Sequence, residues 1–134
     1  MYKKIIVSLA LDQGFGPRAL ELARKLKEDG GEIVALHVFE PLHGSVSAYV
    51  SDDAVKQAMD KVRAGLAERI GDAADVTPVI IKGHSGRSVT DYAQKEGADL
   101  IIVGSHKPGI GDYLLGSTSA RIVRHAPCAV HVLR

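Results

Sequence analysis

A glycine-rich segment with two hydroxyl residues is the part of the sequence whose spacing best suits chemistry. It follows a short apolar run and contains Gly104, Ser105, His106, Lys107, Gly109, Gly111, Gly116, Ser117 and Thr118. Glycine reaches φ > 0 and lacks the Cβ that would hold a ligand away from the backbone. A helical repeat runs from Ser117 to His125, and the unpaired N–H groups and dipole of a helix N-terminus favour an anion. The segment predicts a phosphate-binding loop; a loop whose glycines only form turns is the alternative.

Two better-known phosphate loops can be compared with this segment. A P-loop requires a lysine directly before the serine or threonine, whereas Gly116 is followed at once by Ser117, so the segment is not a Walker A motif. The dinucleotide pattern G-x-G-x-x-G/A occurs elsewhere, at residues 14–19, after the first predicted strand and at the start of the first helix. With Glu40 as the acid that would bind the ribose, that match remains a rival site.

The elements that must position these residues follow from hydrophobic periodicity. Apolar runs predict five strands, at residues 5–11, 33–38, 76–81, 100–103 and 129–133. Helical spacing predicts four helices between them: the first from Pro17 until Gly30-Gly31 stops it, the second over 52–70, the third closed by Gly97 and the fourth ended by Pro127. Pro78 indicates that the third strand lies at a sheet edge. The order predicts an α/β fold, a five-stranded parallel doubly wound sheet with helices on both faces.

Such a sheet binds ligands at the carboxyl ends of its strands, where the strand order reverses. The residues that follow the predicted strands are therefore candidates, and they lie at 10–14, 38–41, 83–84 and 104–109. The glycine-rich segment falls where the fold itself predicts a site.

Composition limits the class of protein. The 134 residues suit one domain, and 46% hydrophobic with 25% charged residues is ordinary for a globular chain. A net charge of +1, no Trp and two Phe argue against nucleic-acid binding. No apolar run reaches membrane length, and the N-terminus leads into a strand rather than a signal peptide. The single cysteine fits a reducing compartment, so we expect a cytoplasmic protein with no nucleic-acid or membrane partner.

Several motifs together resemble the universal stress protein family. The strongest are residues 103–106, 114–118 and 124–130, and the similarity extends through 1–7, 36–38 and 96–100, so that it covers the whole chain. The resemblance implies a Rossmann-like fold of the adenine nucleotide alpha hydrolase type and a cytoplasmic homodimer. Nucleotide-binding members of this family hold ATP or AMP in the cleft, and members act in stress survival rather than as metabolic catalysts.

The sequence departs from the family motif at two places. The motif of the ATP-binding members is G-x2-G-x9-G-(S/T); here it begins at Gly104 and ends at Gly116, with Lys107 at the second glycine and a loop one residue shorter. A Gly-Ser-x-x-Pro variant of the motif matches residues 104–108 better. Family members usually carry an Asp at the end of strand one, but Ala10 stands there, and Asp12 replaces it only if a local bulge allows. We therefore expect no metal site and no firm place for Mg²⁺.

The resemblance also implies roles for individual residues. Val38 offers backbone groups to adenine, Gly83 lies near the base or ribose, and Ser117 and Thr118 bind phosphate oxygens. The candidate nucleotide-binding residues are Ala10, Leu11, Asp12, Val38, Gly83, Gly104, Ser105, His106, Lys107, Gly109, Gly116, Ser117, Thr118 and Ser119. The candidate dimer contact is the last strand, with Ala129, Val130, His131, Val132 and Leu133, because an unpaired edge strand is a liability.

Other polar residues have plainer interpretations. His37 and His131 lie within predicted strands, where we expect structural histidines, whereas His84 follows a strand end and is a candidate to line the cleft. Arg121, Arg124 and His125 form a basic stripe on the last predicted helix. That stripe either binds an anion or a partner, or simply complements the helix dipole.

The leading hypothesis is an adenine-nucleotide-binding stress-response protein, a dimeric regulatory or protective factor whose dimer or loop conformation depends on ATP or AMP. Catalysis is not required, since Asp12 and Asp112 are the only carboxylates expected near the phosphates. The alternative is a dimeric interaction module of the same family that has lost nucleotide, as Ala10 and Lys107 would suggest. A dinucleotide-dependent enzyme ranks third. The sequence does not separate ATP from AMP, nor decide whether residues 39–53 form a lid.

Overall fold

All five predicted strands and all four predicted helices are present in the structure. It is a computed structural model that describes residues 1–10, 16–40, 51–105 and 115–134. In chain order the elements are β1 (Tyr2–Ser8), α1 (Gly16–Leu26), β2 (Lys27–Phe39), α2 (Asp52–Ile70), β3 (Val76–Lys82), α3 (Ser85–Glu96), β4 (Leu100–Gly104), α4 (Ser117–His125) and β5 (Ala129–Leu133). The strand and helix alternation confirms the predicted α/β class.

The strands form one parallel sheet in the order β3-β2-β1-β4-β5. From β1 the chain builds outward through β2 to β3, then returns to place β4 on the other side of β1. Ser8 at the end of β1 is paired with Val103 near the end of β4. The strand order reverses between these two strands, which is where a doubly wound sheet opens a crevice for a ligand.

Alternate residues of the central strands supply two separate cores. On one face Ile5 and Val7 pack with α1 and with Leu66 of α2. On the other face Ile6 and its neighbours pack with residues of α3 and α4, which include Val89, Ala93 and Ile122. A strand buried on both faces reads as a continuous apolar run, and this is why the run in β1 shows no polar alternation.

The boundary between α1 and β2 differs from the sequence prediction. The Gly30-Gly31 pair does not stop the helix, because α1 ends at Leu26 and β2 begins at Lys27. The pairing with β1 shifts between Tyr2↔Lys27 and Lys4↔Glu32, so the glycines lie in an irregular part of the strand. Gly30 has φ of 78°, and a Cβ on Gly31 would lie 2.7 Å from Cγ of Lys27 and 3.0 Å from the carbonyl oxygens of Glu28 and Tyr2, so both positions favour glycine.

Other local predictions hold. Gly97 ends α3 in the left-handed region, with φ of 68°. Pro78 lies in β3, which is an edge strand as predicted. β1 ends at Ser8, three residues earlier than predicted, and Leu9 and Ala10 follow it. No helix in the described part of the chain is both long enough and apolar enough to cross a membrane.

Candidate functional site

A cleft of about 360 Å³ lies at the carboxyl ends of β1, β2 and β4. It is lined by Ser8, Leu9, Ala10, His37, Val38, Glu40, Ser85, Val89, Val103, Gly104, Ser117, Thr118 and Ser119. The position is the switch point of the sheet, and the volume lies within the range of small-molecule sites. The predicted placement of the site at these strand ends agrees with the cleft.

The N-terminus of α4 forms one end of the cleft. The two ends of the glycine-rich segment are tied together there, because the N–H of Gly116 donates to the carbonyl of Ser105 at 2.8 Å. The hydroxyl of Ser119 donates to the carbonyl of Gly104. Gly116 is the N-cap and has no side chain to satisfy the first N–H groups of α4. These donors are therefore suited to an anion that enters the cleft between Ser117 and Ser119.

The N-terminus of α3 also faces the cleft, but it is capped from within the molecule. The backbone N–H of Ser85 donates to Oε1 of Glu40 at 2.9 Å. The Ser85 hydroxyl donates to the same oxygen. His84, the N-cap, makes no capping bond with its own side chain. Glu40, which follows the end of β2, thus places a carboxylate where an external anion would otherwise bind.

The opposite part of the cleft is formed by the ends of β1 and β2. The N–H of Leu9 donates to the carbonyl of Leu36 at 2.9 Å, which extends the pairing of the two strands. Nδ1 of His37 lies 2.8 Å from the carbonyl oxygen of Leu9. Because a carbonyl only accepts, Nδ1 must carry the proton. The histidine therefore has the structural bond expected of it, and its ring lines the cleft as well.

Some predicted residues lie beside the cleft rather than in it. Ser105 is fully buried and does not line the cleft. Gly83 does not line the cleft either. It has φ of 153° and lies close to Ser88, and its N–H donates to the carbonyl of Phe39 at 3.1 Å. Gly116 flanks the cleft, and His84 lines a neighbouring hollow instead.

Other predictions lie partly or wholly outside the described residues. The predicted residues that lie wholly outside are Leu11, Asp12, His106, Lys107, Gly109 and Asp112. Of the proposed lid at 39–53, residues 41–50 lie outside. In the rival dinucleotide motif, Gly16 and the residues up to Ala19 belong to α1 and do not line the cleft. Within the described part, no group of three His, Cys, Asp or Glu side chains is placed to hold a metal ion.

Sequence reasoning did not assign the roles of several polar residues of the cleft. Ser8 and Ser85 were not singled out, His37 was expected to be only structural, and Glu40 was included among the candidates at 38–41 and as the acid of the dinucleotide motif, but not as a helix cap. Glu40 and Ser85 are 45 residues apart in sequence and meet because β2 and α3 are neighbours in space. The available signal was the position of Glu40 and His37 near the end of a predicted strand.

Comparisons with known proteins agree on one family. The sequence profile of the Universal stress protein family matches residues 1–134. Universal stress protein G of Shigella flexneri is 32% identical, over 100% of both chains. The solved structure of universal stress protein UspA from Lactobacillus plantarum is similar with a TM-score of 0.72 and 24% identity, covering 99% of this chain and 98% of that one.

Two further solved structures are described with adenine nucleotides. A universal stress protein in complex with cAMP gives a TM-score of 0.71 at 20% identity, covering 99% of this chain and 97% of that one. The universal stress protein from Archaeoglobus fulgidus in complex with dAMP gives 0.64 at 17% identity, covering 99% and 98%. At these identities the likeness shows that the fold is shared.

Proposed function

Because the chain belongs to the universal stress protein family, we propose that it binds an adenine nucleotide in the cleft at the ends of β1, β2 and β4. Binding would serve a regulatory or protective role in the stress response, through a change in loop or dimer conformation. No catalytic step is part of the proposal. ATP and AMP are both candidates.

The observation that carries the proposal is the contrast between the two helix N-termini that face the cleft. Glu40 caps α3, whereas the N-cap of α4 is Gly116, and the first donors of α4 lie beside the hydroxyls of Ser117 and Thr118. The phosphate end of a nucleotide is therefore assigned to α4, since an anion gains from an uncapped N-terminus and is repelled by a carboxylate. The cAMP and dAMP complexes of the two structural relatives support an adenine nucleotide as the ligand class.

The remainder of the cleft suits a nucleoside. Leu9, Val38, Val89 and Val103 give it apolar walls, and the orientation of His37 is fixed by the carbonyl of Leu9. Apolar side chains beside placed polar groups are the combination that a small-molecule site uses to hold and orient its ligand. Ala10 stands at the end of β1, so we propose no metal-dependent contact there.

Calorimetric titration of AMP, ATP and NAD into the purified protein tests this function. We expect AMP or ATP to bind, and Gly116→Val to abolish binding because the added side chain stands at the entrance to the α4 donors. Val123→Ala, at an exposed position of the same helix, is the matched control and should bind normally. A folded wild-type protein that binds none of the three ligands would contradict the proposal.

The family alternative is an interaction module that has lost nucleotide binding. The observation in its favour is Ala10, which lines the cleft where the family usually carries an Asp. The titration separates the two, because only the nucleotide-binding protein responds to AMP or ATP. Preferred binding of NAD would instead favour the dinucleotide-dependent enzyme.

We further propose a cytoplasmic homodimer formed through β5. In the described part of the chain this strand pairs only with β4, so one of its sides is a sheet edge. An edge of this kind is usually covered, and pairing with a second copy would cover it. The cytoplasmic location is supported by the single cysteine, Cys128.

A further inference from the structure

A second hollow, of about 280 Å³, lies between the start of α3 and the exposed side of α4. Its lining includes His84, Gly86, Arg121, Arg124 and His125, and it shares Ser117 and Thr118 with the nucleotide cleft. We propose that this hollow is a second anion subsite, which receives the outer phosphates of a nucleoside polyphosphate. The proposal rests on the proposed nucleotide function and extends it to a preference among nucleotides.

The first argument is the charge of the cleft itself. Among its described lining residues, the ionisable side chains are Glu40 and His37, and there is no lysine or arginine. A triphosphate carries several negative charges, and Glu40 adds another close to the same space. The uncapped donors of α4 attract one phosphate over a short range only, since the dipole effect falls off within the first turn. Compensation for the outer phosphates must come from residues beyond this lining.

The second argument is the geometry of α4. Ser117, Arg121 and His125 are four residues apart, so they follow one another along a single face of the helix. Helical side chains lean toward the N-terminus, which brings Arg121 over the turn that contains Ser117. An anion bound at Ser117 and Thr118 thus has the guanidinium as its next neighbour along the helix.

The third argument is that the hollow depends on a close helix contact. A Cβ built on Gly86 would lie 2.8 Å from Cδ and 2.9 Å from Cβ of Arg121, so the glycine lets the arginine stem lie directly against α3. The side chain is supported by this contact along its apolar part. A guanidinium held in this way loses less freedom when it binds a phosphate than a fully mobile one.

The fourth argument concerns the partners of the basic residues. Within the described chain, neither Arg121 nor Arg124 forms an ion pair or a side-chain hydrogen bond, whereas Arg87 on α3 is paired with Asp91 at 3.7 Å. Favourable interaction with the helix dipole explains Arg124 and His125 near the end of α4. It does not explain Arg121, which stands in the middle of this nine-residue helix. Phosphate, which guanidinium groups bind in bidentate fashion, is the ligand chemistry that fits.

The test is calorimetric titration of AMP, ATP and inorganic tripolyphosphate into the wild type and an Arg121→Gln variant. Glutamine keeps the Cβ and Cγ groups that lie against Gly86 and removes the charge, so the fold should be retained. We expect ATP affinity to fall about tenfold, the loss typical of one charge-assisted hydrogen bond, while AMP affinity stays the same. Arg87→Gln is the matched control, because that arginine is already paired, and it should leave both affinities unchanged.

The other outcomes decide separately on the anion subsite and on the proposed function. Equal losses for AMP and ATP, or no loss for either, would overturn the subsite. A loss of ATP affinity in Lys107→Gln but not in Arg121→Gln would assign the outer phosphates to the glycine-rich segment and also overturn it. If the wild type binds tripolyphosphate through Arg121 but binds neither nucleotide, the subsite stands and the proposed function fails. If nucleotides bind but no variant discriminates between them, the function stands and the subsite fails.

Discussion

At the residue scale, the carboxylate of Glu40 influences both stability and ligand choice. It accepts two hydrogen bonds from Ser85 and thereby caps α3, and it also adds negative charge to the cleft. The two roles have opposite consequences, because the charge that improves the cap on α3 weakens the binding of a phosphate in the cleft. They can be separated experimentally, because a neutral amide keeps the acceptor oxygen and loses the charge.

We expect Glu40→Gln to bind ATP more tightly than the wild type by a few fold, because repulsion between the carboxylate and the phosphates is removed. The free energy of unfolding should fall by about 0.5–1 kcal/mol, since a neutral acceptor caps a helix less well. Calorimetry and urea denaturation measure the two effects. Glu68→Gln, at an exposed site on α2, is the control, and equal or weaker ATP binding by Glu40→Gln would refute the prediction.

Cys128 offers a prediction on pH. Burial raises the pKa of its thiol, and the negative charge of Asp99 raises it further. Because the thiolate is the nucleophile, alkylation of the native protein at mildly alkaline pH should be slower than that of the urea-unfolded protein. The raised pKa in the folded state also means that this group's contribution to stability is present at lower pH and is lost as the pH rises through the folded value. Iodoacetamide labelling followed by mass spectrometry over a pH series measures the rates; equal rates for native and unfolded chains would contradict the prediction.

At the scale of secondary-structure elements, local sequence predicted most of the fold, and the clearest error concerns a pair of glycines. The end of α3 at Gly97 was predictable because a C-terminal glycine acts through its own backbone. The same reasoning failed at Gly30-Gly31, where Gly30 has a left-handed φ of 78° and a Cβ on Gly31 would crowd Lys27 and the carbonyls of Glu28 and Tyr2. The sequence alone does not distinguish glycines that an irregular strand requires from a glycine that ends a helix.

The crossing of α3 and α4 makes a prediction about Gly86. A methyl group there would lie 2.9 Å from Cβ of Arg121, an atom that no side-chain rotation can move away. We expect Gly86→Ala to lower the free energy of unfolding by about 1–3 kcal/mol, the usual cost of overpacking. Urea denaturation measures this loss.

Gly16→Ala is the matched control for that experiment. Gly16 is also a buried glycine in the first turn of a helix, but its Cβ would make ordinary contacts, the nearest at 3.6 Å. Alanine in the first turn of α1 should be neutral or mildly stabilising, because it reduces the freedom of the unfolded chain. If both variants are equally stable, the close contact of α3 with α4 does not limit the packing.

At the scale of the whole molecule, the position of the cleft was predictable from the sequence, but its full lining was not. The rule that ligands bind at strand ends located the cleft, and the contributions of Gly104, Ser117 and Thr118 followed from the glycine-rich segment. The joint contribution of Glu40 and Ser85 did not follow, because it depends on which helix covers which strand. The packing of α3 against the end of β2 is determined by the tertiary structure, and no short sequence motif encodes it.

The proposed dimer is tested at the same scale. We expect Ala129→Lys combined with His131→Lys to convert the dimer to a monomer, since charges on an edge strand oppose strand pairing. Light scattering coupled to size-exclusion chromatography gives the mass. Thr77→Lys, at an exposed position of the β3 edge, is the control and should leave the mass unchanged. A wild-type protein that is monomeric at all concentrations would contradict the dimer.

The two outer strands of the sheet also determine how large an assembly can grow. Pro78 lacks an N–H, and β3 nevertheless keeps its register with β2 from Val76 to Lys82, so the missing donor belongs to the outward side of that strand. A copy that docked there would lose a ladder bond, whereas β5 carries no proline. Edge-to-edge growth therefore has one competent end for each molecule. If two molecules join through β5 as proposed, the described part of the sheet leaves a third molecule only the β3 edge, where one ladder bond would be missing, so we expect edge-to-edge association to stop at the dimer.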